Sequence, residues 1–189
     1  PLFALTFFCF LLLFFQPAFS EVRVIQLPDD ALVPEAELDL NGILHIVYGK
    51  GDDIFYVRSA DRGKSFEAPI QLSTPNSTAV VGGERGARIA IGKENFIYVV
   101  WLNKKEGGVG YARSVNGGKS FEVKDNIVEA INGKRPTDSP DVSADKNGKV
   151  CIVWLDGRLP ADPNSPISSS IFISVSYDSG ETFSANTPI

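Results

Sequence analysis

Methionine is absent from all 189 residues, histidine occurs once, and cysteine and tryptophan occur twice each. Without a Met the sequence is expected not to open at its natural start, and the chain is expected to be a fragment of a longer protein. A single His is too little for a His-based metal centre, and no Ser, His and Asp come together in the pattern a hydrolase triad needs. Metal-ligand clusters and glycine-rich phosphate loops are also missing, so neither a metal nor an organic cofactor is expected. Of the two cysteines, Cys9 lies in a segment expected to be removed, which leaves Cys151 alone and excludes an intrachain disulfide framework. Basic clusters are lacking as well: the formal charge is -5, which argues against nucleic acid as a partner. Helical periodicity is missing after the first twenty residues, so an all-α or α/β domain is excluded.

What is present begins with an apolar run. From Leu2 to Phe15 nearly every residue is Leu, Phe, Ala or Cys, and no charge precedes Glu21. The run is too short to cross a bilayer comfortably. Ala18-Phe19-Ser20 sets small residues three and one before a break, which predicts a signal peptide over residues 1–20 with cleavage after Ser20. The mature chain is therefore expected to be secreted or periplasmic, with no membrane attachment after cleavage. Cys9 follows Thr6-Phe7-Phe8, without the small residue that a lipoprotein cleavage site wants before its Cys.

Past residue 30 the sequence repeats itself. Asn41-Gly42-Ile43-Leu44-His45-Ile46-Val47-Tyr48 recurs as Glu94 to Trp101 and as Asn147 to Trp154, so that Tyr48, Trp101 and Trp154 stand 53 residues apart. The frame extends back without a gap through Asp39, Gly92 and Asp145 to Pro34, Ala87 and Pro140. Within each copy a second signature follows: Ser59-Ala60-Asp61-Arg62-Gly63-Lys64-Ser65-Phe66, Ser114-Val115-Asn116-Gly117-Gly118-Lys119-Ser120-Phe121 and Ser176-Tyr177-Asp178-Ser179-Gly180-Glu181-Thr182-Phe183. Its chemistry is that of a hairpin turn: the Asp or Asn side chain accepts backbone N–H bonds, Gly permits a positive φ, and Phe buries itself against the sheet. Around these signatures run short segments rich in Val, Ile, Phe and Tyr. The first copy reads as four antiparallel strands near 36–40, 43–49, 54–60 and 66–72.

The signature resembles the Asp box, or bacterial neuraminidase repeat, of sialidases and related propellers, and the resemblance covers essentially all of residues 30–189. It implies an all-β fold, a β-propeller of four-stranded antiparallel blades, with three blades at about 30–80, 81–135 and 136–189 and six in the full-length protein. Three open blades by themselves are expected to be marginally stable, because they leave strand edges and apolar faces uncovered. The boxes are structural in that family, so Asp61, Asn116 and Asp178 are given no catalytic role.

Alternating strand direction places the first turn of each blade and the box turn on one rim. The loops between the second and third strands and the connections between blades lie on the other. Those loops vary: from the anchoring aromatic to the box Ser is 11 residues in the first blade, 13 in the second and 22 in the third. The third carries the Pro-rich excursion Asp156 to Pro166. The variable rim is therefore the functional candidate. At the start of the innermost strands, equivalent positions carry different charges: Glu35, Arg88 and Asp141, and three residues earlier Leu32, Arg85 and Asp138. The ligand-binding candidates are Arg85, Arg88, Asp138, Asp141, Asp156 and Arg158. The alternative is that the two Arg only neutralise Asp138, Asp141 and Glu84.

An exo-sialidase holds its substrate carboxylate with an Arg cluster and uses a Tyr nucleophile assisted by a Glu, with an Asp as acid/base. The Arg-Ile-Pro that opens its first blade is Leu32-Val33-Pro34 here, so the Arg is lost, while the family's following Gly recurs as Gly42. Asp156-Gly157-Arg158 is similar to the family's Glu-Gly-Arg, displaced to the third blade. The resemblance implies recognition of an anionic glycan or sialoglycoconjugate at the central mouth. The alternatives are an active exo-alpha-sialidase, a glycoside hydrolase, in the full-length protein, and a non-catalytic protein-interaction scaffold. Catalytic residues are not assigned. His45, Trp101 and Trp154 read as strand packing, Cys151 as a buried small hydrophobe, and Asn76-Ser77-Thr78 as a glycosylation sequon.

Overall fold

The computed structural model describes residues 24, 27, 30–105, 107–130, 137–159 and 169–189; residues 1–20, expected from sequence to be a signal peptide, and residues 160–166 of the third-blade excursion lie outside them. The described chain forms three four-stranded antiparallel sheets, each a meander in sequence order. The first holds β1 (Leu32–Leu38), β2 (Leu44–Lys50), β3 (Asp53–Ser59) and β4 (Ile70–Gln71). The second holds β5 (Arg88–Ile91), β6 (Ile97–Leu102), β7 (Val109–Ser114) and β8 (Glu122–Lys124). The third holds β9 (Thr137–Ala144), β10 (Val150–Asp156), β11 (Ser170–Ser176) and β12 (Thr187–Pro188). Among the described residues the one helical element is a 3-10 turn at Lys93–Asn95, between β5 and β6.

The first strand starts and stops earlier than the sequence suggests, at Leu32–Leu38 rather than 36–40. Asp39 is the reason. Its Oδ1 accepts the amides of Asn41 at 2.9 Å and Ile43 at 2.8 Å, which closes a turn in place of a further ladder rung. Asp145 does the same in the third sheet, accepting from Asn147 and Lys149 at 2.8 Å each. Gly92 has no side chain for this, and there the 3-10 turn substitutes. The fourth strand is also shorter than expected, at Ile70–Gln71 rather than 66–72, although the Glu67 amide already bonds the Arg58 carbonyl across the pair.

Sheets pack face to face through alternate residues of their strands, as a period of two requires. Val47, Ile54 and Tyr56 of the first sheet meet Ile97, Val99, Trp101 and Ala112 of the second. Tyr98, Val100 and Tyr111, on the second sheet's other face, meet Val150, Ile152, Trp154 and Phe172 of the third. Trp101 and Trp154 are fully buried and cannot offer a sugar-stacking face. His45 is buried as well. Cys151 departs from expectation: it is half-buried, because odd-numbered residues of β10 face away from the second sheet.

The box turns are hydrogen-bonded alike. Ser59 Oγ accepts the Gly63 amide at 2.8 Å and donates to Asp61 Oδ1 at 2.8 Å, and Asp61 accepts the amides of Lys64 and Ser65 at 2.9 Å. Asn116 repeats the pattern, but its Nδ2 donates to Ser120 Oγ where Asp61 and Asp178 accept from Ser65 and Thr182. That reversal is why Asp and Asn interchange here. The box also joins the blades. Phe121 meets Tyr56 of the first sheet edge-on at 4.8 Å, and Phe183 meets Tyr111 of the second at 5.1 Å. The second and third box phenylalanines therefore pack on the preceding blade, whereas Phe66 packs within the first.

Candidate functional site

Leu40 N donates to Asn95 Oδ1 and Ser179 N to the Gly148 carbonyl, so first turns and box turns share one rim. Opposite them, where the innermost strands begin, Glu84, Arg85, Gly86, Arg88, Leu102, Ser139, Pro140 and Asp141 line a cleft of about 190 Å³ between the second and third sheets. This is below the ~300–1,000 Å³ of a complete small-molecule site, so the cleft offers one wall or one subsite.

The innermost strands of the first and third sheets share an irregularity at this rim. In a regular strand, residues three apart point to opposite faces. Register shifts between Leu32 and Glu35 in β1, and opposite Val153 and Leu155 in β9, insert an extra residue and undo that alternation. At the shift stand Val33 and Ser139, equivalent in the repeat, both at φ 47 and both before a proline. A β-branched residue in that region is costly, and such strain clusters where a site must be aimed. Gly86 holds the equivalent place in the second sheet. A Cβ there would meet Val33 Cβ at 2.9 Å and the Val33 carbonyl oxygen at 3.0 Å, so only Gly lets the first two innermost strands come this close.

Four of the six sequence candidates meet at this rim. Arg85 Nη2 pairs with Asp138 Oδ2 at 2.6 Å, both partly exposed. Arg88 Nη1 lies 3.8 Å from Glu35 Oε2, a residue of the first sheet. That oxygen also accepts the Ile89 amide at 3.2 Å. Burial raises the Glu35 carboxyl above its ordinary value and nearby Asp141 adds to this, against the opposing pull of Arg88 and the Ile89 amide. The neutralisation foreseen from sequence thus holds for Arg85 with Asp138, whereas Arg88 turns to Glu35 and Asp141 has no ion pair among the described residues. Glu35 was visible in the sequence as the third member of the Arg88 and Asp141 set.

Asp156 and Arg158 are placed differently. Both are buried, and Asp156 takes Trp154 Nε1 at 2.8 Å, the Arg158 amide and Nε at 2.9 Å each, and Arg158 Nη2 at 2.7 Å. The Arg158 guanidinium also lies over the Phe172 ring at 4.8 Å. Burial pushes the Asp156 carboxyl up, and the bonds from Arg158 and Trp154 outweigh it, so its pKa is lowered. Their geometry is that of a strut at the end of β10. No group of residues able to hold a metal ion occurs among the described residues.

No protein-family model and no curated protein matches the chain. Solved structures do. The GH93 alpha-L-arabinofuranosidase of Fusarium graminearum in complex with arabinobiose superposes with a TM-score of 0.53 at 16% identity, over 84% of this chain and 48% of that one. The same enzyme with an iminosugar inhibitor gives the same values. A mutant of NanB sialidase from Streptococcus pneumoniae gives a TM-score of 0.48 at 13% identity, over 84% of this chain and 23% of that one. The chain thus spans about half the length of the arabinofuranosidase it matches. Likeness at this level establishes the fold alone: these sheets are blades of a β-propeller.

Proposed function

We propose that this sialidase-like propeller segment recognises a carbohydrate at the cleft between its second and third blades, in an exported protein whose full-length form is a glycoside hydrolase. The observation that carries the proposal is the convergence of Arg85, Arg88, Ser139 and Asp141 on one open cleft, with a strained bulge at Ser139. Charged side chains beside the apolar Leu102 and Pro140 match a sugar ring, which presents hydroxyls at its edge and C–H groups on its faces. The arabinofuranosidase neighbour, solved with arabinobiose, supports the class and leaves the sugar open.

An anionic glycan is the second reading, favoured by the Arg85 guanidinium, whose side chain is 53% exposed at the cleft. Hydrolysis of chromogenic arabinofuranosides and sialosides by the full-length protein tests the enzymatic part. Turnover abolished by a change in the cleft supports it; glycan binding without turnover of any glycoside leaves a binding module. Absence of any carbohydrate binding refutes the proposal and favours a protein-interaction scaffold.

A further inference from the structure

Charge balance at the cleft narrows the ligand, given the carbohydrate reading above. Both guanidiniums already have carboxylate partners, Arg85 in Asp138 and Arg88 in Glu35. Two lining carboxylates, Glu84 and Asp141, have no cationic partner among the described residues. Asp138 is fully engaged: Oδ1 accepts the Ser139 amide at 2.7 Å while Oδ2 holds Arg85. Asp141 is not, since its one bond runs from the Val142 amide to Oδ1. Among the described residues, the uncompensated charge facing the cleft is negative.

We infer that the cleft takes an uncharged sugar ring with two neighbouring hydroxyls rather than an acidic one. A ligand carboxylate would have to displace Asp138 or Glu35 from an Arg and then sit against Glu84 and Asp141, where like charges oppose it. A hydroxyl meets no such conflict, because it both donates and accepts. One hydroxyl can accept from the outward N–H groups of Arg88 and donate to Asp141 Oδ2, leaving the Arg88 and Glu35 pair intact. A neighbouring hydroxyl can serve Arg85 and Glu84 in the same manner. The apolar wall of Leu102 and Pro140 then covers the ring's C–H face.

The test is a glycan array of neutral, uronate, sialylated and glucosamine oligosaccharides, probed with the full-length protein and with its Asp141→Asn form at low and high ionic strength. Neutral oligosaccharides should bind with little dependence on salt, and Asp141→Asn should weaken them about tenfold or more with an unchanged melting temperature. Preference for sialylated or uronate glycans, falling with salt, overturns this inference while the carbohydrate reading stands. Preference for glucosamine oligomers overturns it equally. Silence across the array refutes the carbohydrate reading and this inference with it.

Discussion

Replacing Gly118 with Ala probes how the blades are locked together. Gly118 sits in the second box turn at φ +82, and a Cβ there would lie 1.8 Å from the Tyr56 hydroxyl and 2.5 Å from its Cζ. Tyr56 cannot swing aside, since its hydroxyl bonds His45 Nδ1 at 2.6 Å and its ring is flanked by Phe121. The left-handed backbone costs an L-residue about 1–2 kcal/mol, and forcing a methyl into a packed interface adds about 1–3 kcal/mol. Gly42 separates the two contributions: its φ is +76, but nothing stands within 4 Å of the added methyl. Urea denaturation should therefore place the Gly118→Ala midpoint below that of Gly42→Ala. The gap should be about 1 M for an excess of ~2 kcal/mol and a slope near 2 kcal/mol/M. Adding Tyr56→Phe to Gly118→Ala should recover part of the loss, as coupled neighbours do. Equal midpoints for the two Ala variants, with no effect of Tyr56→Phe, would refute the lock.

Further expectations follow from the same contacts. Asp156→Ala strands a buried Arg158 and should cost about 3–5 kcal/mol, measured as a shift in denaturation midpoint, while Lys104→Ala at the exposed pair with Asp52 should change little. Burial holds the His45 pKa below its ordinary 6.5, so the unfolded chain takes the proton first. Stability should fall as pH drops through about 6.5, and melting curves of a His45→Gln form should lack that step. Hydrogen bonds from Ser65 and Thr182 hold Asp61 and Asp178 well below the ordinary 3.8. Their contribution is present above that value and lost below it, giving a second acid step. Ser139→Gly relieves the φ 47 strain and should raise stability by up to about 1 kcal/mol while loosening ligand binding, read by calorimetry.

The sheets were legible because a repeat of 53 residues forces like strands into like places, and because the box turn is a local device of Ser, Asp and Gly with its partners at most five residues away. The rim carrying Arg85 and Asp138 followed from strand direction alone. What escaped the sequence is non-local or irregular. The bulges at Val33 and Ser139 look like ordinary positions before proline, and nothing in the chain marks their reversed φ. The box phenylalanines meet tyrosines of the preceding blade, and those tyrosines stand three before the box Ser at Tyr56 and Tyr111 but become Ile173 in the third blade. Arg88 pairing backwards to Glu35 rather than forwards to Asp141 depends on side-chain reach across neighbouring blades, which an alignment of repeats does not contain.

Under the proposed function, recognition lives at the strand starts and stability at the box turns. Glycan affinity and melting temperature measured together on the full-length protein test it most directly, for Arg85→Ala with Arg88→Ala and, separately, for Asp61→Ala. The double Arg variant should lose affinity at least about tenfold with little change in melting, because both of its ion pairs are partly open to solvent. Asp61→Ala should lower the melting temperature first and leave the affinity of the folded fraction intact. An Arg variant that unfolds with its affinity preserved, or an Asp61→Ala form that loses affinity without losing stability, would contradict the account.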